Sequence, residues 1–244
     1  RSELHPLLHF VTLFPFPGQF RNIARLGCSK PHVVPGIPML IRLLNSKPFF
    51  WILLALPAIP MTFALLGDAP ADGRTIAESL LHPTGDFAAR FMIIAMAATP
   101  LRLMGPRARW PMWLVRRRRY RGVAAFLYAL AHTVLYVVDM GTLKAILSEL
   151  PALGIWTGWL AFAIFIPLAM TSNDAAQRYL ASAWKSLQRW VYPAAVLTLV
   201  HWIFVHNTLG PALVHFVPLA LLETYRIHKS VRNRAAPSGA SQAS

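Results

Sequence analysis

Four histidines of this 244-residue chain lie in, or at the edge of, long apolar segments: His132, His201, His206 and His215. An ionisable side chain inside a membrane is costly and usually has a function. His132 lies ten residues beyond Gly122, where its apolar segment begins. His201 lies eleven residues beyond Trp190 in another segment. At about 1.5 Å of helical rise per residue, both imidazoles are predicted roughly 15–17 Å from the same membrane surface.

Two imidazoles at one depth, on helices that run in the same direction, are the arrangement that a six-coordinate haem iron needs. His132 and His201 are therefore the candidate iron ligands and cofactor-binding residues. The single cysteine, Cys28, cannot form an internal disulfide or an iron–sulfur site by itself, so any redox centre must be held by histidine. A buried, hydrogen-bonded histidine pair is the alternative interpretation.

His215 and Arg90 are two further candidates for cofactor binding. His215 is predicted at a depth close to that of the pair, as a rival ligand, a hydrogen-bond donor to a haem propionate or a quinone contact. Arg90 is interpreted as a propionate partner, or as a side chain that extends to the membrane surface. His206 is expected at the outer interface, and His82 in the loop before the second apolar block.

The apolar residues occur in blocks of transmembrane length. Hydrophobic residues make up 56% of the chain and charged residues 14%, well below the roughly 25% usual in soluble domains. Crossing about 30 Å of hydrocarbon takes about 20 apolar residues in a helix. The blocks are Phe49–Leu66, Phe87–Met104, Gly122–Val138, Leu153–Thr171, Trp190–His206 and Leu209–Tyr225. The sequence therefore predicts an all-α, polytopic membrane bundle of about six transmembrane helices.

Charged residues alternate between the connecting loops. Eight arginines occur between residues 102 and 121, and the loop after the fourth block and the C-terminal segment are also basic. The intervening loops carry the acidic residues Asp68, Asp72, Glu78, Asp86, Asp139 and Glu149. By the positive-inside rule, both termini are predicted to be cytoplasmic. The net charge of +15 is thus a topology signal, and nucleic-acid binding is not expected.

Three regions are predicted along the chain. Residues 1–38 are rich in Pro, Gly and His, and are interpreted as a disordered or non-native extension. Residues 39–230 form the six-helix, haem-binding transmembrane domain. Residues 231–244 are expected to be a disordered tail because they are rich in Ala and Ser.

Short motifs between residues 82 and 206 occur in a definite order. They are His-Pro-Thr-Gly-Asp-Phe from His82, Ala-Thr-Pro-Leu-Arg from Ala98, Leu-Tyr-Ala-Leu-Ala-His-Thr-Val-Leu-Tyr from Leu127, Leu-Ala-Met-Thr-Ser from Leu168, Trp-Lys-Ser-Leu-Gln-Arg-Trp-Val-Tyr from Trp184, and Leu-Val-His-Trp from Leu199. Their order and spacing resemble the ferric-reductase-like transmembrane family. Within it they most resemble the MsrQ family, the haem-binding membrane subunits of bacterial protein-methionine-sulfoxide reductase systems.

The resemblance implies a multi-pass protein of the bacterial inner membrane that carries haem b. It implies electron transfer from quinol, or from a cytosolic flavin reductase, to a periplasmic molybdopterin protein-methionine-sulfoxide reductase. Quinone or FMN would then be a further cofactor. His132 and His201 correspond to haem ligands. The chain would be an electron-transfer subunit of an oxidoreductase system with no catalytic residue of its own.

One position departs from the family pattern. Gln188 stands where the family has histidine, thirteen residues before His201, the spacing at which two-haem relatives carry a second ligand on one helix. We therefore expect one haem, with quinol as the more accessible donor. Two alternative functions remain: a stand-alone ferric or oxygen reductase, and a non-redox membrane transporter or scaffold.

Overall fold

The computed structural model describes residues 46–68, 70–206 and 209–235, and within these ranges all regular secondary structure is helical. The helices are α1 (Lys47–Ala55), α2 (Ala58–Leu66), α3 (Ile76–Met104), α4 (Arg109–Arg116), α5 (Arg118–Met140), α6 (Leu143–Glu149), α7 (Leu153–Met170), α8 (Asp174–Gln188), α9 (Val191–His206) and α10 (Leu209–Ala235). The prediction of an all-α protein is confirmed. The predicted N-terminal extension, 1–38, and residues 236–244 of the predicted tail lie outside the described residues, whereas 231–235 continue α10.

Within the described residues, three helices, α3, α5 and α7, are long and apolar enough to cross a membrane. The pair α1 and α2 adds a fourth span if it is counted as one segment with a 51° bend. Helix α9 is apolar but has 16 residues, about 24 Å of helix. Large side chains such as Phe63 and Met170 are 71% and 70% exposed, as lipid-facing residues are. The chain is a helical membrane protein, and six spans with cytoplasmic termini stay a prediction.

Helix α3 begins eleven residues before the predicted apolar block. Thr75 caps it: the Thr75 hydroxyl accepts a hydrogen bond from the Glu78 backbone N–H (2.9 Å) and donates one to Asp139 Oδ1 (2.6 Å). Polar residues in the first turns interrupt the apolar run without interrupting the helix. The placement of His82 in a loop is therefore wrong, because His82 is the seventh residue of α3.

Two closely packed helix pairs, α3 with α5 and α7 with α9, form the centre of the bundle. Alanines on these helices, including Ala89, Ala98, Ala124 and Ala194, are almost completely buried. Small side chains let membrane helices approach closely, so that van der Waals packing stabilises the pairs. Helix α10 packs on α3.

Helix α1 is attached to α5 by a hydrogen bond and by aromatic contacts. The buried Tyr128 hydroxyl donates to the Leu54 carbonyl oxygen (3.1 Å) at the end of α1. Phe50 packs edge-on against Trp113 and Tyr120, with ring centroids 5.4 and 5.8 Å apart.

Helix α8 is amphipathic and lies beside the first turn of α5. Asn173 caps it by accepting a hydrogen bond from the Ala176 N–H (2.7 Å), and the helix is kinked at Ala181, where φ is 44°. The Arg119 guanidinium donates to Asp174 and to Gln177. This contact holds the pKa of the Asp174 carboxyl below its usual value.

Candidate functional site

A cavity of about 340 Å³ lies between α3, α5, α7 and α9. Most of its wall is apolar, and four histidines line it: His82, His132, His201 and His206. Cofactor pockets are typically about 300–1,000 Å³ in volume and mostly apolar, with a few polar groups. The cavity belongs to this class.

His132 and His201 face each other across the cavity. Their ring centroids are 6.0 Å apart, and the ring planes cross at 82°. Two metal–nitrogen bonds of about 2 Å each, together with the two ring radii, put the centroids of trans imidazoles about 6 Å apart. The two histidines that the sequence predicts at one depth thus lie close together in the structure. Their separation accommodates one metal ion.

Backbone carbonyls orient both imidazoles. His132 Nδ1 is 2.9 Å from the Leu81 carbonyl oxygen, and His201 Nδ1 is 2.7 Å from the Gly154 carbonyl oxygen. A carbonyl oxygen can only accept, so each Nδ1 carries the hydrogen and donates it. The lone pair of each neutral ring is then on Nε2. Metal-binding histidines typically donate their other N–H in this way.

A glycine stands against each imidazole. A Cβ added to Gly158 would lie 2.6 Å from His201 Nδ1, and a Cβ added to Gly85 would lie 3.1 Å from His132 Nδ1. At Gly154, a Cβ would lie 3.0 Å from Val205 Cγ2 on α9. Gly154 and Gly158 form a Gly-x-x-x-Gly motif, which lets two membrane helices approach closely. These glycines make the room in which the two rings sit.

Two imidazoles, those of His132 and His201, meet at this position. Among residues 46–68, 70–206 and 209–235, no group of three or more His, Cys, Asp or Glu side chains could hold a metal ion. A zinc site made by protein alone needs three or four ligands. Haem iron takes four nitrogens from the macrocycle and two from axial residues. A neutral imidazole pair, glycines and an apolar cavity therefore fit haem.

His82 and His206 form a second pair in the wall of the same cavity. Their ring centroids are 4.5 Å apart, and His82 Nδ1 lies 3.4 Å from His206 Nε2. Trp202 lies one turn before His206, and the centroids of these two rings are 5.9 Å apart. The outer-interface prediction for His206 did not identify this pairing.

Arg90 and His215 contact each other behind the cavity wall. Arg90 Nη2 donates to Asp86 Oδ2 (2.8 Å), and Arg90 Nε donates to His215 Nε2 (3.3 Å). His215 Nδ1 donates to the Pro211 carbonyl oxygen (2.7 Å), so both of its ring nitrogens are engaged. The His215 ring also lies 5.3 Å from the Trp202 ring. Through Asp86 and Trp202, both of which line the cavity, Arg90 and His215 support its wall.

A second cavity of about 490 Å³ contains Gln188 in its wall, and Phe165 borders both cavities. Gln188 Nε2 donates to the Leu168 carbonyl oxygen (3.2 Å) and to Thr171 Oγ1 (3.4 Å). The described residues that line this cavity include neither histidine nor cysteine.

The central part of the chain is similar to a known family of membrane proteins. Residues 84–199 match the family model described as the ferric reductase like transmembrane component. This segment includes His132 and ends two residues before His201. No solved structure matches the chain.

Particular relatives then identify the family. The chain is 30% identical over 194 residues to the protein-methionine-sulfoxide reductase heme-binding subunit MsrQ of Azospira oryzae, covering 76% of this chain and 80% of the relative. It is 31% identical over 191 residues to the MsrQ proteins of Polaromonas naphthalenivorans and Brucella anthropi, covering 75% of this chain and 84% of each relative. The chain belongs to the MsrQ family.

Reasoning from the sequence missed the groups that orient the imidazoles. The Gly-x-x-x-Gly spacing of Gly154 and Gly158 is visible in the sequence and indicates a close helix contact. Which helix makes that contact, and which carbonyl accepts from which imidazole, is determined only by tertiary packing. Gly85 lies in the His-Pro-Thr-Gly motif, but no local pattern assigns it to His132.

Proposed function

We propose that this chain binds haem b between His132 and His201 and transfers electrons across the bacterial inner membrane. The observation that carries the proposal is the imidazole pair, with centroids 6.0 Å apart and each Nδ1 engaged by a backbone carbonyl. Membership of the MsrQ family supports it, because the relatives are named as heme-binding subunits.

The residues of the site hold and orient the cofactor and keep water from it. His132 and His201 would hold the haem iron through Nε2, and the hydrogen bonds from Nδ1 to the Leu81 and Gly154 carbonyls keep the rings from rotating. Apolar side chains such as Phe162 and Phe165 line the space between the helices and exclude water. Bound haem would supply a one-electron carrier. Arg90 and His215 stabilise the wall through Asp86 and Trp202.

The proposed topology puts this site closer to the periplasm than to the cytoplasm. With six spans and cytoplasmic termini, α5 runs from a cytoplasmic end at Arg118 to an outer end at Met140. His132 is then about 21 Å along the helix axis from the cytoplasmic end and about 12 Å from the other end. That position suits an acceptor outside the membrane, for which we propose a periplasmic molybdopterin protein-methionine-sulfoxide reductase.

The electron donor is quinol or a cytosolic flavin reductase with FMN. Gln188 occupies the position of the family histidine, and its amide donates to α7. An amide in this position argues for a single haem, at the site of His132 and His201. The distance from that site to a cytosolic donor would be long. Quinol can approach from within the bilayer and is the donor that we favour.

The test is the absorption spectrum of detergent-purified protein, oxidised and then reduced with dithionite, with a pyridine haemochrome count. We expect one b-type haem per chain, which His132→Ala and His201→Ala each abolish. His228→Ala is the matched control, because His228 is exposed on α10 away from both cavities. It should keep the full haem content.

The outcomes separate the candidate functions. A folded protein that stays colourless after haem is supplied would contradict the proposal and favour a transporter or scaffold. Reduction by quinol, or by a flavin reductase with a reduced nicotinamide, identifies the donor. If the reduced haem is reoxidised only when the periplasmic reductase is added, the proposed acceptor is supported. Rapid reduction of ferric iron or oxygen without a partner would favour the stand-alone reductase.

A further inference from the structure

The second cavity carries a strong positive charge that the proposed electron transfer does not use. Helices α3, α5, α7, α8 and α9 and the end of α4 enclose it. Five cationic side chains line it: Arg116, Arg118, Arg119, Lys185 and Arg189. No Asp or Glu is among the described residues of its wall. Such a charge imbalance favours an anionic ligand.

Protein carboxylates neutralise only part of this charge. Arg119 is paired with Asp174 outside the cavity, and Arg118 lies within the electrostatic range of Glu223 on α10. Arg116, Lys185 and Arg189 are exposed, and within the described part of the chain none of them forms an ion pair. Three cations at the mouth of the cavity therefore remain available to a ligand.

The interior of this cavity is apolar. Met96, Phe126, Phe165 and Leu168 form its floor. Gly122 also lines it, and a Cβ added there would meet no atom within 4 Å. Cations at the mouth and apolar side chains at the floor match a ligand with an anionic head and an apolar body.

We propose that this cavity binds a phosphate-bearing amphiphile, specifically the phosphate headgroup of an anionic membrane lipid. The headgroup phosphate lies among Arg116, Lys185 and Arg189, and the start of an acyl chain lies on the apolar floor. A neutral quinone head would not need these cations, and a haem would lack a histidine ligand here. Basic pockets between membrane helices on the cytoplasmic side bind anionic headgroups in this way. The proposal does not depend on haem binding in the first cavity.

The experiment is a titration of the delipidated full-length protein, in neutral detergent, with short-chain phosphatidylglycerol. Phosphatidylcholine and inorganic phosphate are titrated separately, and binding is followed by calorimetry and native mass spectrometry. The charge variant is Lys185→Gln with Arg189→Gln. Its matched control is Arg107→Gln with Arg109→Gln, which removes two charges from a neighbouring segment outside the cavity.

We expect tight phosphatidylglycerol binding that weakens about 25-fold in the charge variant, since each cation contributes a factor of about five near an anionic lipid surface. The control pair should bind as the unmodified protein does. Gly122→Leu should also block binding without a change of charge, whereas Gly210→Leu, also at a position with open space, should not. Circular dichroism and thermal unfolding in detergent report folding in every variant, independently of haem.

Equal affinity for phosphatidylglycerol and phosphatidylcholine, or an equal loss in the charge variant and its control, would overturn the proposal. If inorganic phosphate bound as tightly as the lipid, the cavity would be a phosphate site, and the proposal that a lipid occupies it would be wrong. A second haem in this cavity that displaces the lipid would also overturn it.

Discussion

The Gly158→Ala substitution adds one methyl group against the His201 imidazole. The new Cβ would lie 2.6 Å from Nδ1 and 2.8 Å from Cε1 of that ring. Ordinary van der Waals contact begins at 3.4 Å, so the ring has to move by about 0.8 Å. The hydrogen bond from Nδ1 to the Gly154 carbonyl oxygen, now 2.7 Å long, would be stretched beyond the usual limit of about 3.2 Å or lost.

Loss of this hydrogen bond should weaken haem binding substantially. Removing the partner that orients a metal-binding histidine typically costs about 10–100-fold in affinity. That range corresponds to about 1.4–2.7 kcal/mol. Misplacement of Nε2 adds to the loss, so we expect the upper part of the range.

The assay is a haem titration of the apoprotein, followed by the Soret absorbance, with electron paramagnetic resonance of the oxidised form. Gly122→Ala is the neutral control, because its Cβ meets no atom within 4 Å. Gly154→Ala tests the separation of α7 and α9, because the atoms nearest to its Cβ would be those of Val205 (3.0 Å) and Phe204 (3.3 Å) on α9. Thermal unfolding of each variant measures any global effect.

The steric role of Gly158 would be refuted if Gly158→Ala had the same haem affinity and the same resonance spectrum as the unmodified protein. An equal loss in Gly154→Ala would also refute it, because the effect would then come from separation of α7 and α9. A loss specific to Gly158→Ala, without a change in unfolding temperature, is the expected result.

Three further substitutions test the surroundings of the site. Gly85→Ala should weaken haem binding less than Gly158→Ala, a few-fold in the same titration, because its Cβ would lie 3.1 Å from His132 Nδ1 and a small shift relieves the contact. Tyr128→Phe should lower the free energy of unfolding by about 1 kcal/mol, measured by thermal denaturation in detergent, because the buried hydrogen bond to the Leu54 carbonyl is lost. Thr75→Ala should cost about 1 kcal/mol or more in the same measurement, because it removes both the cap of α3 and the hydrogen bond to Asp139.

Each of these predictions has a control. Tyr179→Phe changes a tyrosine that is 90% exposed and should leave the unfolding temperature unchanged. Thr62→Ala removes only an exposed hydroxyl that is bonded within its own helix. A loss in Gly85→Ala larger than in Gly158→Ala would contradict the steric ranking. Equal stability of Tyr128→Phe and Tyr179→Phe would contradict the role of the bond to α1.

The apolar blocks determined the helical class because in lipid a helix satisfies its backbone polar groups internally. Each predicted block corresponds to a helical segment, with the first divided between α1 and α2. The start of α3 was missed because hydropathy does not register a helix whose first turns carry Glu78 and His82. The cap at Thr75 was the local signal available.

The sequence alone also selected His132 and His201, because depth along a helix follows from residue counting. It could not decide which way each side chain points around its helix, since that depends on which helices are neighbours. Tertiary packing placed the two rings 6.0 Å apart, put Gly85 and Gly158 against them and directed the Leu81 and Gly154 carbonyls to Nδ1. It also joined Arg90 to His215 by a hydrogen bond, because contacts between helices far apart in the chain leave no periodic trace in the sequence.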